Sequence, residues 1–256
     1  MKILSSAQNS IIKSFLILQN KSKERKLKKL FVVEGKKEID RAILGDYHFK
    51  SIFIREGSPM IFNKSKKIKD LFFIKKKLFD KMSIRSGSEK YLGIGISKNH
   101  DLNDLTFIKG TILIADSIEK PGNIGALLRT SSALGVSAFI LSNQISDIYH
   151  PNVIRSSLGG VFNIPIFISD PSTIINHLKK NNINLISGTI NEKSIPISKA
   201  SFKKPCAILV GSESKGLSSQ WIKNSSEIIE IPMKNNIDSL NVSVAAAILL
   251  HQSIQY

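Results

Sequence analysis

Cysteine is almost absent: Cys206 is the single one in 256 residues. A lone cysteine excludes an internal disulfide and a thiolate metal cluster. Set within an apolar run, it reads as a small core residue. The five histidines are scattered, with no metal-ligand spacing, so no metal site is expected. Acidic residues are also scarce. Lys and Arg number 37 against 20 Asp and Glu, leaving +17. That imbalance points to a polyanionic partner, nucleic acid first and an acidic membrane surface second, although a general lysine bias would give the same sum. The longest uncharged apolar run, Val244–Leu250, is far too short to span a bilayer. The opening MKILSSAQNS lacks a signal-peptide pattern, so a cytoplasmic protein is expected. There is no Gly-x-Gly-x-x-Gly, no P-loop and no Gly-x-Ser-x-Gly elbow. The usual dinucleotide, ATP and α/β-hydrolase readings therefore have no support.

What is present suits one large or two small globular domains, with 42% hydrophobic and 22% charged residues. Residues 1–97 read as a small lysine-coated α/β unit. Phe31–Val33, Ile52–Ile54, Leu71–Ile74 and Tyr91–Ile96 are strand candidates, and Glu38–Leu44 reads as a helix ending at Gly45. The basic run Lys21–Lys29 includes Arg25, an RNA-contact candidate, although such runs are more often solvated faces. A polar connection over 98–109 marks the domain boundary.

From 110 to 256 strands and helices alternate, which argues a parallel sheet with helices on both faces. The strands are expected at Thr111–Ala115, Val136–Leu141, Ile164–Ile168, Asn184–Ile190, Ala207–Val210 and Ile228–Ile231. Asn123 and Gly135 bracket a helix as N-cap and C′ residue. Ile124, Leu127 and Leu128 form its apolar stripe, which leaves Arg129 free to face a cleft at the strand ends. Another helix follows Pro151 and carries Arg155, and Asp170-Pro171 caps a third. In the final helix, Ser239 is the expected N-cap and Leu240, Val244, Ala247 and Ile248 the buried face.

Three loops leave strand ends: Asp116–Arg129, Gly211–Gly216 and Ile231–Asn241. Ligands of open α/β sheets bind beyond the carboxyl ends of the strands. Glycines in the second loop permit close backbone approach, and Arg129 offers a fixed cation with a fork of donors suited to phosphate.

NIGALLRTSSALGV (123–136), ILVGSESKGLS (208–218) and IPMKNNIDSLNVSVAAAI (231–248) resemble, in order and spacing, the three motifs of the SpoU/TrmH-type RNA ribose 2′-O-methyltransferases of the SPOUT superfamily. The resemblance covers roughly residues 110–256. KLFVVEGKKEIDRAI (29–43) resembles, more loosely, the L30e-like substrate-binding domain that precedes the catalytic domain in many members.

The resemblance implies an α/β fold with a deep trefoil knot in its C-terminal part, S-adenosyl-L-methionine bound in that knot, and a homodimer packed through the catalytic domain. By motif position, Leu209, Gly211, Ile231, Met233 and Leu240 line the cofactor pocket, joined by Thr189. Arg129 matches the family's catalytic arginine. Glu213 holds it or a neighbouring motif residue, and Asn123, Ser239 and Asn241 shape the site. Arg155 stands where members often carry a basic residue near the RNA. The implied reaction is methyl transfer to a ribose 2′-hydroxyl, most often of large-subunit (23S) ribosomal RNA, with tRNA second. A silent RNA-binding module and a base-nitrogen methyltransferase are the rivals. Neither a metal nor a membrane partner is expected.

Overall fold

The computed structural model describes residues 2–84, 88–106, 109–212, 216–235 and 237–255. The chain forms two compact units, Met1–Asn99 with Asp147–Asn163, and His100–Ser146 with Ile164–Tyr256.

The first unit runs β1 (Lys2–Leu4), α1 (Ser10–Asn20), α2 (Ser22–Lys28), β2 (Leu30–Glu34), α3 (Lys36–Leu44), β3 (Phe49–Arg55), β4 (Ile68–Ile74), α4 (Lys76–Met82) and β5 (Tyr91–Ile96). Short β-branched and aromatic runs make these strands. They form one mixed sheet in the order β1-β4-β3-β5-β2, with β5 antiparallel to both β2 and β3. In α1, Ile12, Phe15 and Leu18 are buried at helical spacing, while Lys13 faces solvent.

The second unit begins with β6 (Thr111–Asp116), α5 (Pro121–Ala133) and β7 (Ala138–Ser142). The chain then contributes α6 (Pro151–Ser156) to the first unit before β8 (Ile166–Ser169), α7 (Pro171–Lys180), β9 (Asn184–Gly188), β10 (Ile195–Pro196), β11 (Cys206–Val210), α8 (Ser219–Asn224), β12 (Glu227–Glu230) and α9 (Val242–Ile254). Among the described residues its seven strands are all parallel, in the order β10-β12-β9-β11-β6-β7-β8. The apolar strands are sandwiched, as the near-continuous Val/Ile/Leu runs require. Asp170 caps α7 by accepting from the Thr173 amide at 3.0 Å.

Asp147–Asn163 supplies part of the first unit's core. Tyr149 stacks on Phe31 at 5.1 Å between ring centroids, and Phe162 packs on Phe31 and Tyr47 at 5.3 and 4.9 Å. Arg25 is not on an RNA-facing surface. It is 3% exposed, donating to Asp147 Oδ2 at 2.7 Å and to the Leu18 carbonyl at 2.6 Å. Its guanidinium is consumed by internal acceptors, because a buried charge must be paired.

Two helix readings change. Lys120, not Asn123, precedes α5, and Pro121 takes the first helical position, where its missing N–H costs nothing. Gly135, at φ +68°, stops that helix as expected. In α9 the N-cap is Asn241, whose side chain accepts from the Ser243 amide at 2.9 Å, not Ser239. The buried face of α9 is Val242, Ala246, Leu249 and Leu250, whereas Val244 and Ile248 are 46% and 37% exposed.

Candidate active site

The carboxyl ends of β9, β11 and β12 open into a cavity of about 220 Å3. Gly188, Val210 and Ile229 floor it. The loops that follow these strands supply Thr189, Gly211, Ile231, Met233, Ser239 and Leu240, all of which line it. Leu209 does not. It is fully buried within the core cluster, because the chain leaves the sheet only after Val210.

Close backbone packing shapes this cavity. After β11 the loop folds back, with the Gly216 amide donating to the Ser212 carbonyl at 3.1 Å. A Cβ at Gly211 would stand 2.7 Å from the Gly216 carbonyl oxygen, and one at Gly188 would stand 2.5 Å from Leu249 Cδ1. The contact at Gly211 is with backbone, so that position requires glycine, whereas at Gly188 the end of the Leu249 side chain would have to move.

The sequence reading missed several liners. Leu217, Val242 and Leu249 give an apolar wall, while Glu230 and Asp238 add two carboxylates. Glu230 accepts from the Ser194 hydroxyl. The signal was available, since Glu230 ends a strand whose exit loop was already singled out. Such a lining suits a ligand with an apolar part together with hydroxyls or positive charge.

Beside it, α5 and α9 start together. The Asn241 Nδ2 donates to Asn123 Oδ1 at 3.2 Å. Asn241 Oδ1 accepts from both the amide and the hydroxyl of Ser243, at 2.9 and 2.6 Å, which fixes the direction of its amide. Arg129, six residues beyond Asn123 on α5, is exposed, while Ile124, Leu127 and Leu128 are buried. Its exposure agrees with the stripe argument, and Arg129 is not among the residues that line the cavity. Glu213 lies outside the described residues.

Asp116 was read only as the first residue of a loop. It is 4% exposed and accepts from Asn143 Nδ2 at 3.3 Å and from Ser117 Oγ at 3.2 Å. Ser117 and Asn143, at φ +55° and +47°, are held left-handed on neighbouring strand ends. This clasp sets the loop that launches α5. Arg155 is exposed on α6 in the first unit. Among the described residues no group of three or more His, Cys, Asp or Glu could hold a metal ion.

Residues 110–251 match the model of the SpoU rRNA Methylase family, which is more than half of the chain. The chain belongs to the SpoU rRNA methylase family. It is an RNA ribose 2′-O-methyltransferase whose cofactor is S-adenosylmethionine. Residues 9–93 match an MRM3-like substrate binding domain. The SpoU chain is 24% identical to the 23S rRNA (guanosine(2553)-2′-O)-methyltransferase RlmP of Bacillus subtilis (strain 168), over 98% of each protein. It is 34% identical to the 23S rRNA (adenosine(1067)-2′-O)-methyltransferase of Streptomyces azureus, over 59% of this chain and 56% of that one. A crystal structure of an RNA 2′-O ribose methyltransferase superposes with a TM-score of 0.82 at 30% identity, covering 100% of this chain and 98% of the other. An AdoMet-bound rRNA methyltransferase from Sinorhizobium meliloti shares the fold, with a TM-score of 0.89 at 23% identity over 99% and 97%.

Proposed function

We propose that this SpoU enzyme methylates a ribose 2′-hydroxyl of 23S ribosomal RNA, with tRNA as the alternative substrate. The observation that carries the reading is the cavity at the ends of β9, β11 and β12, set beside the Asn123–Asn241 contact.

S-adenosylmethionine supplies an electrophilic methyl on a sulfonium when bound. The residues present fit it. Thr189, Gly211, Ile231, Met233 and Leu240 line the cavity and would hold it. Apolar Leu217 and Leu249 suit an adenine ring, and Glu230 and Asp238 suit hydroxyls and positive charge.

Arg129 grips an RNA phosphate and orients the 2′-hydroxyl, which that phosphate can relieve of its proton. A guanidinium stays protonated in proteins, so Arg129 is no free base. Asn123, Asn241 and Ser239 shape the hydroxyl's seat, and Glu213 steadies Arg129 or a motif neighbour. Positioning carries most of the rate, since the sulfonium loses its charge as the methyl leaves.

Residues 1–97 hold the RNA and 110–256 catalyse, joined through 98–109. Residues 1–99 and 147–163 carry 25 Lys and Arg against 10 Asp and Glu, a net +15 suited to a polyanion. Arg155, exposed on that unit, is part of this RNA surface. The C-terminal part is knotted, and two copies pair through the exposed Val244 and Ile248 of α9. The enzyme works in the cytoplasm. Among the described residues no helix is long and apolar enough to cross a membrane.

The test incubates wild type and Arg129→Ala with radiolabelled S-adenosylmethionine and unmodified ribosomal and transfer RNA. Label recovered as a 2′-O-methylnucleoside in 23S RNA, and lost in the variant, supports the reading. Label in tRNA alone changes the substrate, and label on a base overturns the ribose assignment. Cofactor binding with no transfer to any RNA would leave a silent RNA-binding module.

A further inference from the structure

The second unit has two unlike ends. It carries 12 Lys and Arg against 10 Asp and Glu, a net of only +2, so a local excess of lysine there is not the chain-wide bias. Yet at the amino ends of its strands lysines gather. Lys179 and Lys180 close α7, Lys203 and Lys204 precede β11, and Lys223 lies near the end of α8. All five are exposed. None makes an ion pair among the described residues. The fold brings them to one place. Asn184, the first residue of β9, donates its amide to the Pro205 carbonyl at 3.0 Å and its side chain to the Lys203 carbonyl at 3.0 Å. Between α7 and α8 lies a groove of about 290 Å3, rimmed by Lys179, Asn184, Lys223, Asn224, Ser225 and Ser226. The lysine effect on its neighbours is visible in His177, whose pKa is lowered first by burial and then by Lys180.

Glu227, the first residue of β12, stands at this lysine end and accepts from the Ser201 amide at 3.0 Å, while three other acidic groups sit at the opposite end. Asp116, Glu230 and Asp238 all lie at or beyond the carboxyl ends of the strands. Five-residue strands such as β9 set the two ends about 16 Å apart.

We propose that this groove is a second RNA-phosphate contact, taking backbone of the same substrate RNA at a distance from the methylated ribose. It rests on the methyltransferase reading for the identity of that RNA. The surface suits phosphate better than protein. Among the described residues Lys179 and Lys223 supply its uncommitted donors, since Asn184, Asn224, Ser225 and Ser226 already donate to backbone carbonyls, and its apolar lining, Ile175, Leu178, Ile183 and Leu185, is buried. A protein interface wants buried aromatic or apolar anchors at its centre. RNA is held through its phosphates and 2′-hydroxyls, largely by shape, and each phosphate neutralised adds to the salt dependence. A folded RNA can present one strand to the cofactor side and a neighbouring strand to this end.

The test uses the full chain carrying Lys179→Gln, Lys203→Gln, Lys204→Gln and Lys223→Gln together. All four side chains are exposed, so folding is retained, which unchanged S-adenosylmethionine binding verifies. Affinity for a long 23S rRNA fragment is measured against potassium chloride. The expected result is a binding loss of about tenfold or more and a salt slope shallower by about two to three. Turnover of a short single-stranded oligonucleotide is expected to be unchanged, while KM for the long fragment rises. A variant with wild-type affinity and slope overturns the proposal. So does unchanged RNA binding with lost association to an acidic protein, which would make the groove a protein-docking site. If wild type binds rRNA without methylating it, and the variant still loses affinity and slope, the activity reading fails and the groove stands.

Discussion

Asn241 donates its side-chain amide to Asn123 across 3.2 Å, joining the starts of two helices that are 118 residues apart in the chain. The same side chain caps α9 through its oxygen. One residue thus serves stability with one atom and the site with another.

The two roles separate by substitution. Asn241→Asp keeps a good cap but removes the donor toward Asn123, so thermal stability should stay near wild type while single-turnover methylation falls tenfold or more. Asn241→Ala should lose both, with about 1 kcal/mol of stability gone. Equal melting points for the two variants would contradict this split.

Gly211→Ala places a methyl against the Gly216 carbonyl. The loop must shift, at a cost of about 1–3 kcal/mol. Calorimetric titration should show S-adenosylmethionine affinity reduced at least tenfold, with RNA affinity retained.

Arg25→Met leaves Asp147 buried without its partner, side chain 8% exposed. Breaking such a pair costs about 3–5 kcal/mol. Denaturant unfolding should show that loss, and Asp147→Leu added to Arg25→Met should recover part of it. RNA affinity of the folded fraction should be unaltered, since Arg25 does not reach the surface. A truncation after residue 99 should be unstable for the same reason, because it lacks Asp147, Tyr149 and Phe162.

His150 introduces a pH dependence. Its Nδ1 caps α6 by contacting the Asn152 amide at 3.1 Å, which requires an unprotonated acceptor. Burial lowers its pKa first, and Arg25 lowers it further. The unfolded chain therefore binds the proton more readily than the folded one. Stability is complete above the unfolded value of about 6.5 and declines as pH falls through the lower folded value. His150→Asn, which caps without titrating, should flatten that part of the melting-temperature profile.

Sequence alone determined six of the strands described in the second unit, because apolar runs bounded by turn residues admit few other structures, but it missed the two-residue β10. It also determined that Arg129 lies off the buried stripe of α5, since that follows from helical spacing. Tertiary structure decided the rest. The core of α9 reads Val-Ser-Val-Ala-Ala-Ala-Ile-Leu-Leu, apolar nearly all round, so periodicity could not tell which face is buried. Packing against α5 and the sheet chose Val242, Ala246, Leu249 and Leu250. Asp147–Asn163 follows a second-unit strand in sequence, yet its aromatics belong to the first unit's core. Arg25 looked like one more solvated cation until Asp147, 122 residues away, became its partner. Burial and ion pairing depend on which distant residues meet, and no local window of sequence contains that information.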